Sequence, residues 1–212
     1  MRGALQLVLA AEAAFMSPEV LSALILFVLV SALTPGPNNL MLLASGVNFG
    51  FRRTVPHMIG TIVGFMALLF ALGFGIGTLV ERFPAIYIVL KVIGGSYLLY
   101  LAWKIAGSRA IHEAETGRGP LSFGQATLFQ LINPKSWVVG LAAIAAFTDP
   151  DAYLLTAGAV IGAFFCASTP AIVLWTGFGS ALKDWLAHPV RLKWFNIAMS
   201  LALVASLWPM LR

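Results

Sequence analysis

Six consecutive residues, Thr34-Pro35-Gly36-Pro37-Asn38-Asn39, break an apolar run that extends from about Glu19 to Val47. Proline has no backbone N–H and clashes with the carbonyl four residues back, so Pro35 and Pro37 release the carbonyls of Ser31 and Leu33. Gly36 lets the chain bend, and Asn38 and Asn39 suit the start of a second half-helix. A second break, Asn133-Pro134-Lys135, interrupts a later apolar run. Each break ends one half-helix and starts another, presenting carbonyls on one side and N–H groups on the other. A helix N-terminus suits an anion such as a carboxylate, and freed carbonyls accept from an ammonium. The combination fits a zwitterion. The expected ligand is therefore an amino acid, held by Thr34, Pro35, Gly36, Pro37, Asn38 and Asn39 from one break and by Asn133, Pro134 and Lys135 from the other. The competing reading is a pair of packing kinks, against which two prolines, a glycine and two asparagines within six residues weigh heavily. Lys135 starts a half-helix, where the dipole disfavours a cation. Its expected partner is a ligand carboxylate or the freed carbonyls; the alternative is an interfacial or purely structural position.

The elements that must position these residues are membrane helices. The chain has 212 residues, of which 60% are hydrophobic and 10% charged, against about 25% charged in an ordinary soluble domain. Apolar runs of roughly 20 residues recur, the length that spans a bilayer. A broken helix survives in lipid only where it is buried in protein or lines a polar cavity. The single cysteine, Cys166, excludes an internal disulfide and is expected to be buried and inert. The chain contains no phosphate-binding Walker loop, no zinc-protease His pair and no nucleophile elbow, and no carboxylate lies deep in an apolar run. No catalytic residue, metal, cofactor or nucleic-acid partner is expected.

Six apolar segments are read at about 19–48, 54–80, 84–106, 121–147, 152–180 and 189–211, with Pro84 and Pro189 where a first-turn proline is harmless. Loops after segments one, three and five carry Arg52, Arg53, Lys104, Arg109, Arg118, Lys183, Arg191 and Lys193. The other side holds Arg2, Arg82 and Arg212. Eight against three puts the first set in the cytoplasm and both termini outside. Lys91 falls within segment three and is expected to extend to water. Segments one and four are both interrupted; segments two and five both carry Gly-x-x-x-Gly (Gly60/Gly64, Gly158/Gly162) and then Gly-Phe-Gly (Gly73-Phe74-Gly75, Gly177-Phe178-Gly179). This order predicts an all-α integral membrane fold of six transmembrane helices in two inverted three-helix repeats, about 19–106 and 121–211, with helices one and four interrupted. Such paired interruptions mark a transporter's site. Residues 17–212 form one transmembrane domain, and residues 1–16 an extension that reads as signal-like or as a start called too early at Met1, with Met16 the true start. The glycine pairs are expected to pack helices within the fold, a homodimer contact being the second reading. Pro170 is a hinge or a static kink. His57 and His188 are expected at interfaces, and Trp103, Trp137, Trp185, Trp194 and Trp208 in an interfacial belt.

Four stretches together resemble the LysE-type family of bacterial inner-membrane amino-acid exporters. They are Thr34–Asn39, Gly50-Phe51-Arg52-Arg53, Leu98-Leu99-Tyr100-Leu101-Ala102-Trp103-Lys104 and Asn133-Pro134-Lys135. The resemblance covers roughly Ser17 to Arg212. Pro35–Asn39 and the Gly-Phe-Arg loop look most like the branch that exports cysteine and O-acetylserine. The resemblance implies efflux of amino acids or their derivatives, driven by the proton gradient. Many members carry an Asp directly after the first Gly-x-x-x-Gly; this chain has Phe65 there. That departure disfavours a cationic substrate, which would want a buried counter-charge, and favours a small neutral zwitterion. An uncoupled facilitator, or a membrane interaction protein without flux, are the alternatives.

Overall fold

The computed structural model describes residues 16–76, 84–107 and 119–208, and these are all-helical. In chain order the helices are α1 (Pro18–Leu33), α2 (Pro37–Phe49), α3 (Phe51–Ala71), α4 (Pro84–Ala106), α5 (Phe123–Ile132), α6 (Pro134–Phe147), α7 (Tyr153–Ala181) and α8 (Pro189–Ala205). Both expected interruptions are present. α1 and α2 meet at a 48° bend and α5 and α6 at 63°. Two spans, Phe51–Gly75 and Pro150–Ala181, are each long and apolar enough to cross a membrane, and each bent pair reaches that length as a unit. Large apolar side chains cover the outside, with Leu26, Phe74, Leu154 and Leu174 all more than 60% exposed. That is the surface of a chain solvated by lipid, where backbone polar groups are satisfied within helices. The extension 1–15, together with Glu81, Arg82, Arg109, His112, Arg118, Arg212 and the side chain of Lys91, lies outside the described residues.

α2 occupies the centre and is buried from Asn39 to Asn48, as a helix apolar all round should be. Leu40 and Met41 pack with Leu98, Leu101 and Ala102 of α4, Phe129 of α5 and Leu203 of α8. On the other side of the molecule Leu24 and Val28 of α1 join Leu69 of α3, Ala143 of α6 and Val160 and Phe164 of α7. Buried polar pairs join the helices. Asn48 of α2 and Asn196 of α8 exchange amide hydrogen bonds at 3.2 and 3.4 Å, and Ser200 donates to the Ala102 carbonyl at 2.7 Å.

Several expectations need correction. Arg52 and Arg53 are not in a loop: they occupy the first turn of α3, because Gly50 alone turns the chain, at φ 81°. His57 is not interfacial but 1% exposed, on the inner face of α3. Trp137 is also buried, since its indole N–H takes up the Leu131 carbonyl at the second break at 2.8 Å; Trp103, Trp185, Trp194 and Trp208 are exposed as a belt requires. Cys166 is exposed, on the outer face of α7 rather than in its packed face. Pro170 lies within α7, which runs unbroken past it. The glycine motifs of the two halves do not play matched roles. Gly60 and Gly64 face α5, where a Cβ would collide with the Phe123 and Thr127 carbonyls, whereas Gly158 and Gly162 face open space. Gly73-Phe74-Gly75 forms a π-helical turn ending at a positive φ, while Gly177-Phe178-Gly179 sits in regular helix.

This asymmetry has a measurable consequence. A Cβ at Gly64 would lie 2.5 Å from the Thr127 carbonyl and 2.8 Å from Gln130 Cγ. Gly64→Ala should therefore destabilise by about 1–3 kcal/mol, the usual cost of overpacking. Gly158→Ala should leave the thermal midpoint in detergent unchanged. Equal shifts for the two would refute the α3–α5 packing.

Candidate functional site

The two breaks meet on one cavity. From the first break Ser31, Ala32, Gly36, Asn38 and Asn39 line it; from the second, Asn133, Lys135, Ser136 and Val139. α3 supplies Thr61, Ile62 and Phe65, and α7 supplies Phe164, Ser168, Ala171 and Ile172. The space open to the centres of water-sized molecules is about 80 Å³, several times the roughly 10–15 Å³ that one water needs. A small amino acid fits.

Pro35 and Pro37 end α1 as expected, and the structure shows where its last carbonyls go. Lys135 Nζ donates to the Ser31 carbonyl at 3.2 Å and to the Thr34 carbonyl at 3.1 Å. Asn39 Nδ2 donates to the Ala32 carbonyl at 2.8 Å and again to Thr34 at 3.0 Å. No basic residue occupies the last turn of α1, so the cation that suits a helix C-terminus comes from the other half of the chain. This explains the unfavourable start position of Lys135: its backbone is at the N-terminus of α6, but its charge is at the C-terminus of α1. Gly36 makes room for that reach, since a Cβ there would lie 2.9 Å from both Lys135 Cδ and Nζ.

The N-termini of the two second half-helices differ. At α6, Asn133 Oδ1 accepts from the Lys135 N–H at 3.2 Å, and the Asn133 carbonyl accepts from the N–H groups of Ser136 and Trp137. That end is closed by its own cap. At α2, Gly36 in the cap position makes no side-chain cap bond, and Pro37 has no N–H to cap. The first turn of α2 therefore opens onto the cavity uncapped. Thr34, Pro35, Pro37 and Pro134 do not line the cavity; they shape the backbone, with Pro37 and Pro134 buried at the first helical position.

Gln130, which the sequence reading passed over, is 0% exposed and joins the breaks. Asn38 Nδ2 donates to Gln130 Oε1 at 2.8 Å and Gln130 Nε2 donates back to Asn38 Oδ1 at 2.9 Å. Ser136 Oγ adds a third bond, to Gln130 Oε1 at 3.0 Å. A lone Gln in the apolar run 126–132 was the available signal, because a polar side chain at that depth needs a partner. Part of the remaining wall is aromatic: Phe65 meets Phe164 edge-on with ring centroids 5.4 Å apart, and behind them Phe164 meets Phe27 the same way at 6.4 Å. Among the described residues no Asp or Glu lines the cavity, and no group of three or more metal-ligating side chains occurs.

Known proteins similar in sequence to this chain include efflux proteins. Cysteine/O-acetylserine efflux proteins match at 34% identity in Salmonella typhimurium (strain LT2), covering 66% of this chain and 71% of the relative. The identity is 36% in Klebsiella pneumoniae, covering 64% and 68%, and 33% in Escherichia coli K12, covering 66% and 72%. They carry the branch name that the motifs resemble. No solved structure matches the chain. The profile of the LysE type translocator family matches residues 29–208. With both helix breaks inside that match, the chain belongs to the LysE type translocator family, whose members are transporters and not enzymes.

Proposed function

We propose that this protein exports a small neutral amino acid or derivative, of the cysteine and O-acetylserine kind, across the bacterial inner membrane in exchange for protons. The observation that carries this reading is the Lys135 ammonium of one half lying on the carbonyl end of the broken helix in the other. The site is then a zwitterion site with a tethered stand-in. An ammonium has three donors, and the Ser31 and Thr34 carbonyls engage it only on one side. The substrate carboxylate binds Lys135 and the uncapped first turn of α2. As it draws Lys135 toward itself, the substrate's own ammonium takes the carbonyls that Lys135 leaves. Each group released finds a partner of the same kind, so desolvation is compensated at each stage. Ile62, Phe65, Val139, Phe164 and Ile172 surround the side chain, which suits a small apolar or thiol-sized group. A second cation has no anion to meet there.

In the full reading the chain crosses the membrane six times as two inverted repeats, with both termini outside and the site near the midplane. Gly36, Asn38 and Asn39 of the first break and Asn133 and Lys135 of the second clasp the substrate, held in place by the backbone that Pro35, Pro37 and Pro134 shape, and α3 and α7 move against them to open the cavity to each side in turn.

Two outcomes test this. Inside-out vesicles carrying the protein should take up labelled cysteine, kept reduced, well above empty vesicles, with lysine transported at least about tenfold less, since each factor of ten needs only about 1.4 kcal/mol. Equal transport of lysine and cysteine would sink the specificity, and uptake insensitive to a protonophore would identify an uncoupled facilitator. Lys135→Met should reduce transport about tenfold or more at matched protein level, because it leaves the Ser31 carbonyl without its side-chain partner, at about 1–3 kcal/mol, and removes the carboxylate's partner. Undiminished transport by Lys135→Met would refute the site.

A further inference from the structure

The proposed exchange needs a group that binds a proton inside the membrane, and among the described residues no Asp or Glu lines the first cavity. A second cavity supplies another candidate. It lies beside α2, α3 and α4 and is lined by Ser45, Asn48, His57, Lys104 and the segment Gly119–Leu121 among others. His57 is 1% exposed. Its Nδ1 lies 3.3 Å from Ser45 Oγ, while its Nε2 has no hydrogen-bond partner among the described residues. Buried polar atoms without partners are rare and call for water or a ligand. With its proton on Nδ1 toward Ser45, the imidazole offers Nε2 as an open acceptor.

His57 is also connected to the first cavity by helical spacing. His57, Thr61 and Phe65 follow one another every four residues on α3 and so share a face. The first lines the second cavity, and the other two line the first. Thr61 Oγ1 is likewise buried without a partner, as is Thr176 Oγ1 on α7. The Thr176 carbonyl packs against Gly46, the residue after Ser45. Open polar atoms therefore lie along the α2–α3–α7 junction between two cavities that each hold water-sized space.

We infer that His57 is the proton carrier of the exchange. This rests on the proton-coupled reading above. When the first cavity faces outside, Nε2 takes a proton from water that enters along the α3 face carrying Thr61. When the second cavity faces the cytoplasm, Nε2 returns that proton to water there, and substrate leaves the other way. The surroundings favour release. α2 presents Ser45 and Asn48, α4 presents Lys104, and α6 holds Lys135. Arg52 and Arg53 precede His57 on α3, Lys183 lies beside Gly50 beyond the end of α7, and α5 contains no titratable residue. No described carboxylate pairs with His57, so no ion pair holds the imidazolium once it forms.

The test uses purified full-length protein in inside-out vesicles with an interior about one pH unit more acid. One proton per substrate then sustains at most about tenfold accumulation of labelled cysteine. Wild type should approach that ratio. His57→Gln should fall to a ratio of about one while still exchanging labelled for unlabelled cysteine, and its exchange should lose the wild-type pH profile. His57→Asn, whose amide can keep the bond to Ser45, should behave alike. Accumulation by either variant at the wild-type ratio would overturn the assignment. So would loss of exchange together with accumulation, or failure of both variants to fold, since His57 would then serve substrate binding or the fold. Wild type that exchanges but never accumulates would instead overturn the coupled reading, leaving an uncoupled site.

Discussion

The Lys135 contact with the end of α1 is what the rest of the arrangement depends on. Breaking a helix in lipid strands carbonyls that no water can reach, and each costs free energy unless paired. The Ser31, Ala32 and Thr34 carbonyls are all taken by side chains, two of them by one ammonium from a distant part of the chain. Remove that ammonium and the first break loses its cationic cap. Remove the break and an intramembrane lysine loses its partners. Each exposes the other to an unsatisfied charge or dipole, so the two breaks are bound in one geometry at the proposed substrate site.

The polar pairs around this contact fix where the helices stand. With lipid on the outside, burying another leucine gives little preference for one helix pairing over another, and small residues and hydrogen bonds set the register instead. Asn38 with Gln130 ties α2 to α5, and Asn48 with Asn196 ties α2 to α8. Gly46 and Gly179 let the backbones of α2 and α7 touch, and Gly94 does the same for α4 against Ile132. α2 is thus held on several sides by directional or close-contact interactions.

Much of this was legible in the sequence because proline and apolar length act locally. The missing N–H of Pro35, Pro37 and Pro134 fixes both breaks whatever packs around them, and α4 runs over Pro84–Ala106 just as the apolar run reads. The carbonyls needing partners followed only in part: of the Ser31 and Leu33 carbonyls that the prolines are read to release, Lys135 takes that of Ser31, and the other two taken by side chains are those of Ala32 and Thr34. What the sequence did not disclose was which side chains would cross between halves. Gln130 and His57 sit in runs whose neighbours read as apolar core or loop edge, and their burial depends on how α3, α2 and α5 pack, which no local pattern encodes. The glycine motifs misled for the same reason. Gly60/Gly64 and Gly158/Gly162 share a spacing, yet only the first pair has a helix against it.

The two breaks are alike in sequence and unlike in chemistry, and the difference assigns their roles. The second break satisfies itself: Asn133 caps α6 and Trp137 takes the Leu131 carbonyl. The first depends on a lysine from elsewhere at its carbonyl end and has no side-chain cap at its N–H end. A ligand can therefore compete at the first break by exchanging one charged partner for another, but at the second only by displacing a neutral bond the chain already makes with itself. An ammonium on a flexible stem can follow an arriving carboxylate, whereas the indole of a buried Trp137 cannot. In the proposed function the first break is the part that responds to substrate, and the second is the fixed mount from which Lys135 reaches it.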